Sequence, residues 1–330
     1  MSNVHKPWEA EHAVSVEQAR ALIAVHLPAL AKFEVTHAGR GWDVEVMRAG
    51  PFAVRFPRRA VAIPLVEAEI RVLPRLGPRL PISIPLPLHT APASADFPAP
   101  FYAHPWLEGT TADRARLGEA ARFALAGPLG RFLRALHSVG DEEARGLGLL
   151  PPSLRLSMAE RGERARSRLE EMCNHLVAYV PEREEVAGSE RAPVDRALVA
   201  RVIDALAPEG DLYESVRSAP APRASAIHGD LYARHLLLDE RSGLAAVIDW
   251  GDVALGDPAE DLALAWSFLP ASARAAFFAA YGPVDAGERA KARFSALSRY
   301  AGSLLAYACD VGDAPLVEEA QAAARFALEE

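Results

Sequence analysis

Apolar and polar residues alternate along this chain with two different periods, one typical of helices and one typical of strands. Ser15 and Gln18 form a capping-box pattern, and apolar residues then recur at helical spacing up to Leu27. Short runs rich in β-branched and aromatic residues come next, separated by glycine-containing turns. These runs are 33–36, 44–47 and 52–56. The pattern predicts a helix followed by three antiparallel strands.

The helical period returns at 64–76, a stretch that contains Glu67 and Glu69. A proline-rich segment at 78–87 is predicted to be extended. An aromatic strand follows at 100–108. The first third of the chain therefore predicts a small antiparallel sheet with helices.

The pattern changes after Gly109 to long stretches rich in Ala, Leu and Arg. The clearest helices are predicted at 114–139 and 153–179, and the charged residues 181–193 are predicted to be a loop. One β patch at 227–250 interrupts the helices, and Asp257 before Pro258 predicts a new helix start. We therefore predict an α+β fold with an N-terminal domain at 1–109 and a mainly helical C-terminal domain at 110–330.

Composition excludes several classes of protein. The chain has 330 residues, a formal net charge of -8 and no basic stripe, which argues against nucleic acid as a partner. Cys173 and Cys309 are isolated, so neither a disulfide framework nor a zinc ribbon is expected. The N-terminus lacks the apolar core of a signal peptide, and no apolar run approaches the roughly 18 residues of a membrane span. We expect a cytoplasmic monomer or weak dimer that uses no membrane.

The basic residues are almost all arginine, because Lys6, Lys32 and Lys291 are the only lysines among 36 basic residues. Acidic residues are concentrated after residue 110, whereas the preceding part is close to neutral. An acidic C-terminal domain suits a cationic or magnesium-bound partner, although solvated helix faces explain it equally well.

Acidic and imidazole side chains stand at the ends of apolar stretches within 227–250. His228, Gly229 and Asp230 follow one apolar residue, His235 precedes a strand, and Asp249 ends the next strand. This order fits phosphoryl transfer, which needs positioning and charge neutralisation more than covalent chemistry. Asp230 would accept the proton of an attacking hydroxyl, while Asp249 and a residue at 235 would hold magnesium. Turn-capping groups in a β-hairpin are the alternative.

The same residues resemble a known family. The His228-Gly229-Asp230 motif, the Ile248-Asp249-Trp250 motif and the segment at 256–263 are similar to those of the aminoglycoside phosphotransferase family of protein-kinase-like enzymes. The resemblance implies a two-lobe kinase-like fold, with ATP or GTP and Mg²⁺ in the cleft. It also implies Asp230 as the catalytic residue and Asp249 as a metal ligand. Most members have Asn at position 235. The macrolide phosphotransferase branch has His there, which implies that His235 is a magnesium ligand.

The family covers the nucleotide phosphates with a loop between its first two strands. Here that loop is 37–43, with Gly39 and Gly41, whose backbone N–H groups could approach phosphate. An ordinary hairpin turn is the alternative.

A cation on the third strand, paired with a helix Glu, is the next part that the resemblance implies. Arg55 stands where a lysine is usual, and its forked guanidinium can bond phosphate oxygens in pairs. Strand alternation places Arg55 opposite Val54 and Phe56, and Glu69 matches the partner position better than Glu67. A surface arginine on an edge strand is the alternative.

The aromatic strand resembles the hinge between kinase lobes, whose backbone bonds the purine. The resemblance implies this role for Ala103, His104 and Trp106, while a core or surface strand is the alternative. Structural roles are expected for His137, His228, Asp257 and Asp261, and Cys173 is expected to pack within a helix. Asp252 is expected to face solvent, with a position near the metal as the alternative.

These observations predict a kinase that transfers a γ-phosphoryl group to a hydroxyl of an aminoglycoside- or macrolide-type antibiotic. The acidic C-terminal domain favours a cationic acceptor, and residues 153–222 are expected to build its pocket. A metabolic kinase of choline- or sugar-like acceptors remains open. So do a nucleotide-binding pseudokinase and, on the His-Gly-Asp motif alone, a metal-dependent hydrolase.

Overall fold

The computed structural model describes residues 11–152, 157–178 and 193–329. The strands are β1 (Val35–Arg40), β2 (Val44–Ala49), β3 (Phe52–Pro57), β4 (His89–Ala91), β5 (Phe101–Pro105), β6 (Thr110–Thr111), β7 (Ser225–Ile227), β8 (Leu236–Leu238), β9 (Leu244–Val247) and β10 (Ala254–Gly256). The helices before the β7 strand are α1 (Val16–His26), α2 (Ile63–Leu76), α3 (Glu119–His137), α4 (Asp141–Gly146), α5 (Met158–Ala178), α6 (Arg196–Ala205) and α7 (Asp211–Arg217). Those after it are α8 (Ala259–Leu262), α9 (Leu264–Ser267), α10 (Ala271–Tyr281), α11 (Ala286–Ser295), α12 (Leu304–Val311) and α13 (Ala314–Leu328), with a π-helical segment at Ala296–Ser303.

The N-terminal sheet has the order β1-β2-β3-β5-β4, with every neighbouring pair antiparallel. In β3 the large apolar residues Phe52, Val54 and Phe56 occupy every second position, so they share one face that can pack on a helix. Val54 and Phe56 of β3 enter a core that also contains Ile23 of α1. Both hydrogen bonds of the predicted capping box between Ser15 and Gln18 are present at the start of α1.

The predicted loop at 37–43 is shorter than the sequence suggests. β1 continues to Arg40 through a bulge between His37 and Gly39, so the turn covers only 41–43. The hydrophobic run ends before this point, but backbone pairing with β2 extends the strand beyond it.

Helix α2 joins the two parts of the molecule. Val66 packs with Tyr102 of the N-terminal sheet, whereas Val72, Leu73 and Leu76 belong to the larger core of the C-terminal part. The predicted helix at 64–76 is confirmed almost residue for residue.

Gly109 lies where the chain leaves the N-terminal sheet. The next residues form β6, which pairs with β8 of a three-stranded sheet in the C-terminal part. Gly109 has φ of 144°, and a Cβ there would lie 2.7 Å from the carbonyl oxygen of Leu238. Only glycine therefore allows this strand to approach β8 so closely.

The C-terminal part is mainly helical, with β6-β8-β9 and β7-β10 as two small sheets. Helix α3 begins at Glu119 and not near 114, because Arg116 has φ of 48° and Gly118 is extended. Helix α5 is found within 153–179, but 153–156, 179 and the predicted loop, apart from Pro193, lie outside the described residues. No helix in the described ranges combines the length and the apolar character needed to cross a membrane.

Helix α11 continues through the π-helical segment into α12. Apolar periodicity does not distinguish a π turn from an α turn, so the sequence predicts only a helix here. Arg299 and Tyr300 lie within this wider segment. The α+β class and the helical C-terminal part are as predicted.

Candidate active site

A cavity of about 560 Å³ lies between the N-terminal sheet and the C-terminal helices. Its walls come from the β1–β2 turn, β3 and α2 on one side, and from α5, the loops after β7 and β9, and the π-helical segment on the other. Predicted site residues that line it are Gly41, Arg55, Glu69, Asp230, His235 and Asp249.

Asp230 lies in the loop after β7 with its carboxylate partly exposed to the cavity. Arg299 Nη2 donates to its Oδ1 over 2.8 Å, and its backbone carbonyl accepts a 2.6 Å hydrogen bond from His235 Nδ1. The carboxylate therefore has a fixed direction and one oxygen that Arg299 does not occupy.

His228 and Asp261 hold the backbone of this loop. Asp261 accepts the N–H groups of His228 and Gly229 over 2.7 and 2.8 Å, and it contacts His137 Nε2 at 3.1 Å. Burial would raise the pKa of Asp261, but these partners hold it below its usual value. Gly229 has φ of 89°, which a side chain would strain. The structural roles predicted for His137, His228 and Asp261 agree with these contacts.

The imidazole of His228 is neutral, and two hydrogen bonds fix its orientation. His228 Nε2 donates to the carbonyl of Ile248 over 3.0 Å, while Nδ1 accepts the N–H of Asp230 over 3.3 Å. Burial lowers the pKa of His228 despite nearby carboxylates. Its ring therefore links the strand that ends before Asp249 to the Asp230 loop.

Asp249 follows β9 in a left-handed conformation with φ of 63°, and its carboxylate is about half exposed. His235 Nε2 lies 3.3 Å from one of its oxygens, and Arg55 Nη2 lies 3.5 Å from the other. Enclosure would raise the pKa of Asp249, but His235 and Arg55 hold it well below its usual range. Asp249 is therefore an ionised carboxylate that faces the cavity between His235 and Arg55.

Arg55 and Glu69 form a buried ion pair. Arg55 Nη2 lies 3.1 Å from Glu69 Oε1, and Tyr102 donates to Oε2 over 3.1 Å. Burial alone would lower the pKa of Arg55, but Glu69, Tyr102 and Asp249 raise it. Its Nε–H is buried without a hydrogen-bond acceptor among the described residues. Glu67 is exposed, so the structure pairs Arg55 with the glutamate that the sequence favoured.

The two glycines of the β1–β2 region occupy different places. Gly41 lines the cavity, and its carbonyl accepts a 2.6 Å hydrogen bond from Arg58. Gly39 lies within β1 and does not line the cavity. The structure therefore brings Gly41, but not Gly39, to the other predicted residues.

Trp42 connects this turn to the C-terminal part, a contact that the sequence did not indicate. Its Nε1 donates to Tyr307 Oη over 2.9 Å, and the two rings meet edge to face with centroids 5.0 Å apart. The turn therefore reaches across the cavity.

The predicted hinge residues Ala103, His104 and Trp106 do not line the cavity. The Ala103 carbonyl already accepts the N–H of Leu88, and the N–H of Trp106 already donates to Pro51. The N–H of Trp106 is thus engaged within the sheet. A purine contact of the remaining hinge backbone stays a prediction.

Arg299 and an arginine face of α5 are the functional candidates that sequence reasoning missed. Arg161, Arg164 and Arg168 line the cavity from α5, and Arg299 lines it from the π-helical segment. Their spacing of three and four residues was a usable sign of one helix face. Nothing in the sequence indicated which cleft that face would meet.

The fit of Mg²⁺ depends on the available donors. Mg²⁺ is usually bound by one or two carboxylates together with phosphate oxygens and water. Asp249 supplies one cavity-facing carboxylate, whereas the imidazole of His235 is a softer donor than Mg²⁺ prefers. No group of three His, Cys, Asp or Glu side chains able to hold a metal occurs in the described ranges. These donors therefore fit a metal ion that would take its remaining ligands from nucleotide phosphates and water.

Solved structures share this fold at low sequence identity, and no curated protein matches the chain. The GDP complex of wild-type aminoglycoside 2'-phosphotransferase-IIIa aligns with a TM-score of 0.63 at 19% identity, over 95% of this chain and 98% of that one. A macrolide 2'-phosphotransferase from Brachybacterium faecium aligns with a TM-score of 0.53 at 24% identity, over 93% and 97%. These similarities confirm the protein-kinase-like fold.

The family of this chain is shown by a match at the level of sequence. A sequence model of the phosphotransferase enzyme family matches residues 33–294, which include the N-terminal sheet, Asp230 and Asp249. The match covers well over half of the chain. This protein therefore belongs to the phosphotransferase enzyme family.

Proposed function

We propose that this protein transfers the γ-phosphoryl group of ATP or GTP to a hydroxyl of a small molecule. In this proposal residues 1–109 form the nucleotide-binding lobe, and residues 110–330 carry the catalytic loop and the acceptor pocket. The observation that carries it is the meeting of Asp230, Asp249 and Arg55 in one cavity, with Asp249 3.5 Å from Arg55.

Asp230 orients the acceptor and receives its proton. The acceptor oxygen forms a bond to the γ-phosphorus, the bond from that phosphorus to the bridging oxygen breaks, and the hydroxyl proton passes to Asp230. The products are the phosphorylated acceptor and a nucleoside diphosphate, and the proton then leaves to water. Arg299 and the braced loop support this role because they fix the carboxylate before substrate arrives.

Arg55 neutralises nucleotide phosphate, and Glu69 keeps its guanidinium in place. Asp249 and His235 are the residues that would hold Mg²⁺ beside the nucleotide phosphates. A bound magnesium ion would neutralise charge on the transferring group. Solved neighbours that carry GDP or ADP support a nucleoside triphosphate as the donor.

The acceptor class has two lines of support that disagree. Structural neighbours include a kanamycin complex and a gentamicin complex of aminoglycoside phosphotransferases, which supports an antibiotic with amino groups. The arginine face of α5 instead favours a metabolic acceptor without positive charge.

The test is Asp230→Asn with Asp204→Asn as the matched control, since Asp204 is exposed on α6. We expect Asp230→Asn to lose about a hundred-fold or more in phosphoryl transfer while ADP binding with Mg²⁺ is retained. Turnover that survives in Asp230→Asn would refute the role of this carboxylate. Nucleotide binding by the wild type without turnover on any acceptor would indicate a pseudokinase, and metal binding without a purine requirement would indicate a hydrolase.

A further inference from the structure

The acceptor side of the cavity is rich in arginine. Arg161, Arg164 and Arg168 lie on one face of α5, and Arg299 of the π-helical segment shares the Glu260 carboxylate with Arg161. Ser298, Ser303 and Leu304 are among the uncharged residues between them. All four arginines therefore line the same cavity as Asp230.

Two of these arginines have carboxylate partners. Arg161 makes a bidentate pair with buried Glu260 over 2.7 and 2.6 Å, and Arg299 reaches both Glu260 and Asp230. Two carboxylates thus balance these two guanidinium groups.

The other two arginines are positively charged and exposed. Arg164 and Arg168 are exposed, and neither makes a hydrogen bond or an ion pair with a described residue. Burial and the charge of Arg164 lower the pKa of Arg168, against weaker opposing effects of Asp310 and Glu171. The like charges repel one another, so an anion between them would be stabilised.

Three other acidic residues of the cavity have basic partners. Asp43 pairs with Arg59, Glu69 with Arg55, and Asp249 with His235 and Arg55. Exposed Asp252 is a further acid on the wall.

The C-terminal part has a negative net charge, but the cavity beside Asp230 does not share that negative charge. The expectation of a cationic acceptor rested on that total charge. The local charge beside Asp230 is positive, because arginines outnumber acidic residues on the acceptor side of the cavity.

We propose that Arg164 and Arg168 bind a phosphate or carboxylate group of the acceptor, whose hydroxyl then lies at Asp230. The substrate is an anionic hydroxyl compound, such as a phosphorylated or carboxylated sugar. A guanidinium pair suits this role because each offers two parallel N–H donors to an oxyanion. The inference rests on the proposed function.

The first measurement compares glucose, its charged derivatives and kanamycin as acceptors, in the presence of ATP and Mg²⁺. We expect glucose 6-phosphate and gluconate to be better acceptors than glucose, and glucosamine and kanamycin to be poorer. Arg164→Gln combined with Arg168→Gln should raise KM for the anionic acceptors about ten-fold or more, with little change in ADP affinity. Arg201→Gln, an exposed arginine on α6 outside the cavity, is the matched control.

The second measurement does not require turnover. Inorganic phosphate is added to protein saturated with ADP and Mg²⁺, and arginine labelling by phenylglyoxal is mapped by mass spectrometry. Phosphate should protect Arg164 and Arg168 but not Arg201.

Three results would overturn the inference. They are an absence of phosphate protection, a KM for glucose 6-phosphate that is unchanged in the double variant, and a loss of ADP affinity in that variant. The last result would assign the arginines to the nucleotide. Failure of the proposed function has a different signature, because Asp230→Asn would then retain turnover or the wild type would bind no nucleotide.

Discussion

Arg299 Nη2 donates a 2.8 Å hydrogen bond to Oδ1 of Asp230, and its Nη1 donates to the carbonyl of Gly229 over 2.9 Å. One guanidinium therefore holds both the side chain and the backbone of the proposed catalytic loop. It also contacts buried Glu260 at 3.1 Å, which fixes Arg299 itself.

Arg299→Ala should lower kcat about ten- to a hundred-fold while KM for the nucleotide changes little. The reason is that the Asp230 carboxylate loses its orientation, and small errors in position are costly in catalysis. The free energy of unfolding should fall by about 1–3 kcal/mol, since a charge-assisted hydrogen bond to Glu260 is lost. Steady-state kinetics and urea unfolding measure the two effects.

Arg299→Lys should give an intermediate kcat, because one ammonium cannot reproduce the two-armed contact. Arg217→Ala on exposed α7 is the control and should match the wild type. Wild-type kcat in Arg299→Ala would show that the ion pair has no part in positioning Asp230.

Arg55→Met should destabilise the protein by about 3–5 kcal/mol, because Glu69 would remain as an uncompensated buried charge. Adding Glu69→Gln should restore much of the unfolding free energy without restoring turnover. Arg55→Lys should keep activity within about ten-fold, since the positive charge remains. Thermal unfolding and nucleotide titrations separate these outcomes. A double variant with normal kcat/KM would limit Arg55 to a structural role.

Asp261→Asn should destabilise the fold by about 2–3 kcal/mol and reduce kcat. The amide keeps the shape but replaces one acceptor with a donor that meets the N–H groups of His228 or Gly229. Asp285→Asn is the control, because asparagine caps a helix about as well as aspartate. Equal stability of both variants would contradict the bracing role of Asp261.

His104 should make stability depend on pH. Burial, with a smaller effect from Arg55, lowers its pKa from 6.5 to about 4. Between these values the unfolded chain binds a proton that the folded protein excludes, so the unfolding free energy falls as the pH falls. The contribution is at most about 3 kcal/mol, present above pH 6.5 and lost by pH 4.

His104→Phe should flatten this part of the pH profile in chemical unfolding experiments at pH 7, 6 and 5. His89→Phe, on the neighbouring strand β4, is the matched substitution and should leave the slope as in the wild type. Parallel slopes for wild type and His104→Phe would show that another group controls acid stability.

Several features followed from the sequence because short-range patterns determine them. The capping box at Ser15, the face of Arg55 on β3 and the helix that carries Glu69 depend on spacing within a few residues. The loop with Asp230 and the strand end with Asp249 follow from motifs of the same kind. Local periodicity and turn chemistry are sufficient for such features.

The predicted boundaries that were wrong depend on backbone pairing and backbone conformation, which the apolar pattern does not show. β1 extends to Arg40 because β2 offers backbone partners, and α3 starts late because Arg116 adopts a positive φ. Apolar periodicity also does not predict the π-helical turns at 296–303.

The sequence by itself determined the kinase-like fold, the family and the order of the carboxylates along the chain. Tertiary structure alone decided what surrounds them. Arg299 is 69 residues from Asp230, and the arginine face of α5 meets the cavity only after the helices pack. The net charge of a domain is a sum over its whole surface, whereas a substrate meets only the charges that folding brings to one cleft.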